Sequence, residues 1–209
     1  SRLSNYEHNS SIIWGTWLHR LCPWQYEILY HLGIKNNFFF NTNRLYLEHL
    51  IIKDREFIID DKFTEKYNKF LAIFDDSSDE YKNQKIWLSR GLVAHRRGYW
   101  NEVQIEILLR REGWLIINPE QLSVKKQASL FNSAEIIAGV QGSAFFAVLL
   151  AKYRSANIKT IVRPLSYDAL YDRIARATGI NQEFINHEFM DLPQGRVLIP
   201  DQIMSFLKK

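Results

Sequence analysis

The sequence predicts an α/β protein whose C-terminal part is built on a parallel β-sheet, and three observations support this class. After residue 80, short apolar runs alternate with stretches of helical periodicity. Most of the runs are apolar throughout, which is typical of strands buried on both faces. The helical stretches are about ten residues long, as expected for helices that connect parallel strands. This order predicts a Rossmann-like domain.

The elements of this part follow in turn from their local patterns. The expected strands are residues 85–89, 114–118, 135–140, 158–163 and 196–199. The expected helices are residues 102–111, 124–132, 143–153, 167–178 and 201–207. In such sheets, ligands bind outside the carboxyl ends of the strands. Residues that carry chemistry are therefore expected in the loops 89–100, 119–123 and 141–143.

The N-terminal part is less regular and is predicted to be a smaller α/β region. Pro23 is suited to the first turn of a helix, and apolar residues follow it. The expected elements are a helix at 24–32, strand-like runs at 45–52 and 57–59, and an amphipathic stretch at 63–74.

The domain boundary is predicted in the acidic stretch 75–80, which is polar and lacks apolar periodicity. It separates an N-terminal region, 1–78, from a C-terminal domain, 79–209. The chain begins without methionine and without a clean structural start. We therefore expect that an N-terminal portion of the first region is absent.

Composition excludes several classes of protein. Hydrophobic residues make up 46% of the chain and aromatic residues 14%, which is typical of a globular protein and not of a disordered or fibrous one. Cys22 is the single cysteine, so an intrachain disulfide is impossible. No apolar run reaches the roughly 18 residues that span a bilayer. The formal charge of +4 is compatible with an anionic ligand but does not require a polyanion.

The loop after the first predicted strand of the C-terminal domain is strongly basic. Ser89 and Arg90 open it, and His95, Arg96 and Arg97 follow. Guanidinium groups match phosphate oxygens and stay charged, so they stabilise a departing diphosphate. The alternative is a solvated face in which the arginines pair with nearby glutamates. The position at a strand end favours a phosphate site.

The helix after this loop begins with two polar residues. Asn101 is followed three residues later by Gln104, which resembles a capping box and gives Asn101 a structural role. Glu102 lies in the first helical turn, where the helix dipole favours a carboxylate. The same side chain is equally suited to holding an arginine or a sugar hydroxyl.

Two further loops provide candidate binding residues. In the second, Glu120 is suited to contact a ribose or a base, although most such glutamates are simply exposed. In the third, Gln141, Gly142 and Ser143 open a predicted helix, and a small turn lets an anion approach the backbone amides. The alternative is a tight turn that needs small residues for packing. Neither a P-loop nor a dinucleotide fingerprint is present.

The six histidines show no metal-ligand spacing, so we expect no metal site.

A set of motifs follows in a fixed order along the chain. The motifs are Ile86 to Arg90, Arg96–Arg97, Asn101–Glu102, Gly113–Trp114, Pro119–Glu120, Leu122–Ser123, Gln127, Leu130–Phe131, Ala134 to Ile137, and Gly139. This ordered set resembles glycosyltransferase family 61, including its bacterial capsular polysaccharide members. The resemblance covers residues 85–150 well and 24–74 more faintly.

The resemblance implies a GT-B-like arrangement, with the nucleotide-sugar donor in the C-terminal half and the acceptor bound largely by the N-terminal half. It also implies inversion at the anomeric carbon. Arg90 and the pair Arg96–Arg97 match the family's strand-end arginines, and Glu120 matches its acidic second-loop residue. At Gln141 the family usually has a histidine, which puts the phosphate contacts in question. The family's catalytic base is expected in the other domain, and no residue is assigned to it.

The favoured function is an inverting glycosyltransferase that transfers a hexosyl or pentosyl group from a nucleotide sugar to a saccharide or glycolipid hydroxyl, in bacterial surface polysaccharide synthesis. No tightly bound cofactor and no nucleic-acid partner are expected. The expected location is cytoplasmic, either free or in peripheral association with the inner face of the membrane. The alternatives are a catalytically degenerate domain that binds a nucleotide sugar or an interaction partner, and a nucleic-acid-binding module with Trp87, Tyr99 and Trp100 as stacking surfaces.

Overall fold

A computed structural model of the chain provides the structure. It describes residues 11–14, 20–35, 38–40, 44, 46–52, 57–58, 62–92, 99–163, 169–186, 188–193 and 195–208. The chain divides into two compact units, Ser1–Ile73 and Phe74–Lys209. The acidic stretch 75–80 thus lies at the beginning of the second unit.

The described residues of the first unit form short strands and two helices. They are β1 (Ile12–Trp14), α1 (Pro23–His31), β2 (Phe38–Phe40), β3 (Phe57–Ile58), β4 (Lys62–Phe63) and α2 (Glu65–Leu71). Strand β1 pairs with β2 in parallel, and β3 pairs with β4 in antiparallel orientation. Leu21, Leu29 and Ile34 form its buried core.

Two sequence predictions for this unit had different outcomes. The helix that Pro23 begins is confirmed. The strand predicted over 45–52 is wrong for the part that the structure describes, because residues 46–52 contain no strand. Leu47, Leu50 and Ile51 are exposed there, so the apolar run lacks the burial that stabilises a strand.

The second unit contains the larger sheet. Its strands are β5 (Lys85–Leu88), β6 (Leu115–Ile117), β7 (Ile136–Val140), β8 (Asn157–Val162), β9 (Gln182–Asn186), β10 (Met190–Leu192) and β11 (Gly195–Val197). Its helices are α3 (Glu102–Arg111), α4 (Val124–Ser133), α5 (Ala169–Thr178) and α6 (Pro200–Lys208).

Five of these strands form one sheet in the order β6-β5-β7-β8-β9. Every neighbouring pair is parallel, which confirms the predicted α/β class with a parallel sheet. The side chains of Trp87, Ile137 and Ile161 are fully buried, as the continuous apolar runs predict. The chain moves from β5 outward to β6 and then returns to β7 on the other side of β5. The strand order therefore reverses between β5 and β7, which is the ligand-binding position of doubly wound sheets.

Three predictions for this unit were wrong in part. Residues Ser143–Leu149 form a 3₁₀-helix rather than an α-helix extending to residue 153, and Phe145 and Val148 share the buried face that a three-residue period creates. The strand expected at 196–199 is β11, which pairs with β10 in a hairpin outside the main sheet. Strand β9 was missed because its half-buried sequence mixes polar and apolar residues.

None of the helices in the described part of the chain has both the length and the apolar character that crossing a bilayer requires.

Asn132 anchors the beginning of the second unit. Its buried amide nitrogen donates to the carbonyls of Phe74, at 2.9 Å, and Asp76, at 3.0 Å. Its oxygen accepts the backbone N–H groups of Tyr153, at 2.9 Å, and Arg154, at 3.3 Å. One side chain on α4 therefore joins two segments that are distant in sequence.

We expect Asn132→Ala to lower the free energy of unfolding by on the order of 3 kcal/mol, because buried backbone groups lose their partners. Chemical denaturation measures this loss. Asn181→Ala is the matched control, since its amide makes an exposed hydrogen bond with Asn157 at 2.9 Å. Similar losses in the two variants would contradict the anchoring role.

Candidate functional site

The reversal of strand order brings two loops together at the carboxyl edge of the sheet. Leu88, the last residue of β5, lies opposite Gly139 of β7. A Cβ atom on Gly139 would lie 3.1 Å from the Leu88 carbonyl oxygen, so the two backbones approach closely. The loops that begin at Ser89 and Gln141 therefore leave the sheet side by side.

Arg90 and Gly142 meet where these loops converge. A Cβ atom built on Gly142 would collide with Nη1 of Arg90 and would lie 3.5 Å from Nη2 of Arg163. Two guanidinium groups thus lie against one glycine, and the missing side chain leaves room for them. The sequence predicted Arg90 and Gly142 as site residues, and the structure brings them together.

Arg163 is a site residue that sequence reasoning missed. Its Nε donates to the Gln141 carbonyl at 2.7 Å, and its backbone N–H donates to the Gln141 side-chain oxygen at 3.2 Å. Arg163 directly follows β8, whereas the sequence predicts a strand that ends at Arg163 itself. Arg90 is selected because it follows a strand. Ending the predicted strand at Val162 would have selected Arg163 by the same argument.

Gln141 itself is buried, and its amide bridges the ends of β7 and β8. The glutamine that stands where the family usually has histidine therefore has a structural contact that orients Arg163. Ser143 is exposed and begins the 3₁₀-helix that follows.

Two carboxylates of α3 hold the turn that carries Arg90. Glu102 Oε1 accepts the backbone N–H of Arg90 at 2.7 Å. Glu106 Oε1 accepts the Ser89 hydroxyl at 2.5 Å, and that hydroxyl oxygen accepts the Gly91 N–H at 3.0 Å. Glu102 and Glu106 are one helical turn apart, so both reach the same loop. Ser89 and Glu102 therefore shape the turn that carries Arg90.

Burial raises the pKa of Glu102 from its ordinary value of 4.5 to about 7. The Arg90 N–H and guanidinium lower the pKa, whereas the neighbouring Glu106 raises it. The Trp87 indole also faces this carboxyl, outside hydrogen-bond geometry. Glu102 Oε2 and Arg90 Nε are buried and have no hydrogen-bond partner among the described residues. The cluster therefore contains one buried acceptor and one buried donor close to the switch point.

Asn101 is structural, but the predicted capping box is wrong. Its side chain makes no cap hydrogen bond with α3. Instead, Nδ2 donates to the Leu198 carbonyl at 2.7 Å, and Oδ1 accepts the Leu198 N–H at 2.8 Å. The Asn101 side chain therefore bonds to the distant backbone of Leu198 instead of the nearby backbone of α3, because one amide can reach both the carbonyl and the N–H of Leu198.

The remaining predicted residues are Glu120 and the three basic residues His95, Arg96 and Arg97. Glu120 is exposed on the 3₁₀-turn Pro119–Gln121, which follows β6 at the same edge of the sheet. His95, Arg96 and Arg97 lie outside the described residues. Within the part of the chain that is described, His, Cys, Asp and Glu form no group of three or more suited to a metal ion.

Tyr99 precedes α3, and the charges of three arginines act on its hydroxyl. Its ring is buried and stacks on Phe189, with ring centroids 5.2 Å apart. Burial raises the pKa of the Tyr99 hydroxyl, and the charges of Arg163, Arg196 and Arg90 oppose that rise. Arg196 is a second residue that sequence reasoning missed as a site candidate.

A surface cavity of about 410 Å³ opens at the opposite, amino edge of the sheet. Its lining mixes lysine and glutamate and includes Lys85, Glu135 and Lys159. None of the predicted donor residues lines it. The strand-end cluster, which has convergent arginines, is therefore the better candidate site.

These features define a doubly wound α/β domain with a basic site at its switch point. The sequence model of the family described as Glycosyltransferase 61 matches residues 14–158, more than half of the chain. The chain therefore belongs to glycosyltransferase family 61, as the motif resemblance predicted, and its class of activity is glycosyl transfer. No curated protein and no solved structure matches the chain significantly.

The Glu102 carboxyl predicts a pH dependence of stability. Between pH 4.5 and about 7, the folded protein holds a proton that the unfolded chain has released. Stability therefore falls as pH rises through this window. We expect Glu102→Gln, which stays neutral and still accepts the Arg90 N–H, to gain about 3 kcal/mol over the natural protein between pH 4.5 and pH 8.

Chemical denaturation at several pH values measures this difference, and groups common to both chains cancel in it. Glu112→Gln is the control, because Glu112 is exposed at the end of α3. If the Glu102→Gln and natural curves run parallel, the buried carboxyl does not titrate in this window.

Proposed function

We propose that the chain is an inverting glycosyltransferase that moves a sugar from a nucleotide-sugar donor to a hydroxyl of a saccharide or glycolipid acceptor. The observation that carries this proposal is the meeting of Arg90 and Arg163 over Gly142 at the switch point. Family membership supports the transfer of a sugar. The basic cluster supports a donor whose leaving group is a diphosphate.

The electrostatics of the cluster suit such a leaving group. As the bond between the sugar and the diphosphate breaks, negative charge builds on the bridging oxygen. Fixed guanidinium donors at that point stabilise the charge more in the transition state than in the ground state. Arg90 is positioned for this role because Glu102 holds its backbone, and Arg163 is positioned because Gln141 holds its Nε.

The proposed reaction is a single displacement. The acceptor hydroxyl attacks the anomeric carbon opposite the diphosphate, so configuration inverts, and its proton passes to a base expected from the acceptor-binding part. We propose a GT-B-like division of roles, with the donor on the second unit and the acceptor on the first. Bacterial surface polysaccharide synthesis is the setting that the motif resemblance favours.

Arg90→Ala should weaken nucleoside diphosphate binding by about tenfold to a hundredfold, because charge-assisted hydrogen bonds to phosphate are lost. Thermal shift with UDP, GDP and dTDP identifies the bound nucleotide. Calorimetry then measures its affinity, and release of the nucleoside diphosphate from the matching nucleotide sugar measures turnover.

Arg111→Ala is the matched control, since Arg111 is exposed at the end of α3, which leads to the opposite edge of the sheet. The proposal would be refuted if no nucleoside diphosphate bound to the natural protein, or if both variants bound equally well. Binding without turnover of any nucleotide sugar would instead support the degenerate-domain alternative.

Gly142→Ala tests whether the space at Gly142 is needed to place the Arg90 guanidinium beside Arg163. The backbone of Gly142 is extended, with φ −175°, so alanine adds no backbone strain. Its Cβ would collide with Nη1 of Arg90 and displace that guanidinium. We expect about a tenfold loss of diphosphate affinity with a melting temperature close to that of the natural protein. Unchanged affinity would show that Arg90 does not need this space.

A further inference from the structure

We propose that the hairpin β10–β11 forms a third wall of the donor site and that Arg196 binds the donor diphosphate together with Arg90 and Arg163. This inference rests on the proposed function and extends it. Arg163 and Arg196 both lie beyond residue 158, where the family match ends. Their assignment therefore comes from the geometry of this chain and not from the family.

The hairpin is fixed to the segment that precedes α3. The backbone N–H of Trp100 donates to the Arg196 carbonyl at 3.0 Å. Two residues further on, Leu198 exchanges two hydrogen bonds with the Asn101 side chain, at 2.7 and 2.8 Å. These three bonds place the backbone of residue 196 beside the N-terminus of α3, at the edge of the sheet that carries Arg90.

Ring stacking provides a second, independent contact. Tyr99 stacks on Phe189, with an interplanar angle of 24°, immediately before β10. Phe189 also packs against the core cluster that contains Trp87 and Leu198. The hairpin is therefore attached at both its beginning and its end, so Arg196 is presented from a defined backbone position.

Three guanidinium groups consequently act on one side chain. The charges of Arg163, Arg196 and Arg90 all favour ionisation of the Tyr99 hydroxyl, and Glu102 is the acidic group that opposes them. Glu102 lies on α3, Arg90 and Arg163 follow β5 and β8, and Arg196 lies within β11. A multivalent anion can accept charge-assisted hydrogen bonds from several guanidinium groups at once. A diphosphate has the charge and the number of oxygen acceptors that this arrangement suits.

Arg196 is exposed, which also fits a ligand contact better than a core role. Its side chain is available for substitution without opening a cavity. The hydrogen bond of residue 196 to Trp100 comes from the backbone carbonyl, so it survives a change of side chain. Arg196→Ala is therefore expected to fold, with a ligand-free melting temperature close to that of the natural protein.

The experiment compares three probes by calorimetry: the nucleoside diphosphate that binds best, the corresponding nucleoside, and inorganic pyrophosphate. We expect Arg196→Ala to weaken the nucleoside diphosphate and pyrophosphate by about tenfold and to leave the nucleoside unchanged. Arg196→Gln keeps the length of the side chain without its charge and should give the same pattern. Arg176→Ala is the control, since Arg176 is exposed on α5 and pairs with Asp172.

The outcomes separate the two proposals. If the natural protein binds no nucleoside diphosphate, the proposed function fails and this inference fails with it. If Arg90→Ala loses affinity but Arg196→Ala and Arg196→Gln do not, the function stands and the assignment of Arg196 is overturned. Equal losses for the nucleoside and the diphosphate would also overturn it, because a phosphate contact must distinguish them.

Discussion

The parallel pairing of β5 with β7 is the constraint on which the rest of the site depends. The chain leaves β5 for a neighbour on one side and leaves β7 for a neighbour on the other. In doubly wound sheets, the crossovers at such a position lie on opposite faces, and ligands bind in the crevice between the two loops. Leu88 and Gly139 lie directly opposite at its base. Arg90 and Gly142 meet because each lies a few residues beyond that pair.

Two buried glutamates hold the turn that carries Arg90. Glu102 accepts the Arg90 N–H and Glu106 accepts the Ser89 hydroxyl. Both side chains are buried, and burial raises the pKa of Glu102. Because its pKa is raised, the Glu102 carboxyl stays protonated, and therefore neutral, to higher pH. In that state it still accepts the Arg90 backbone N–H but does not neutralise the charge of the Arg90 guanidinium. The arrangement therefore positions a cation while leaving its field available to a ligand, which is the requirement of a site that stabilises a leaving diphosphate.

The basic groups come from distant parts of the chain, and each is oriented by a neighbour. Gln141 orients Arg163 through its carbonyl and its amide, and Asn101 anchors the segment that follows Arg196. Glutamine at 141, where the family usually has histidine, thus acts in the bridge between two strand ends. The family match ends before Arg163 and Arg196, so both arginines come from the last quarter of the chain, which the match does not cover.

The sequence by itself determined the parallel α/β class and most strand positions, and it selected Arg90 and Gly142, which the structure brings together. These follow from local rules: continuous apolar runs indicate strands buried on both faces, and ligands bind where such strands end. Tertiary structure alone decided that Asn101 contacts Leu198, 97 residues away, instead of capping its helix. It also decided that Arg196 lies on a hairpin and not in the sheet. Such contacts depend on how distant segments pack, and local periodicity contains no information about that packing.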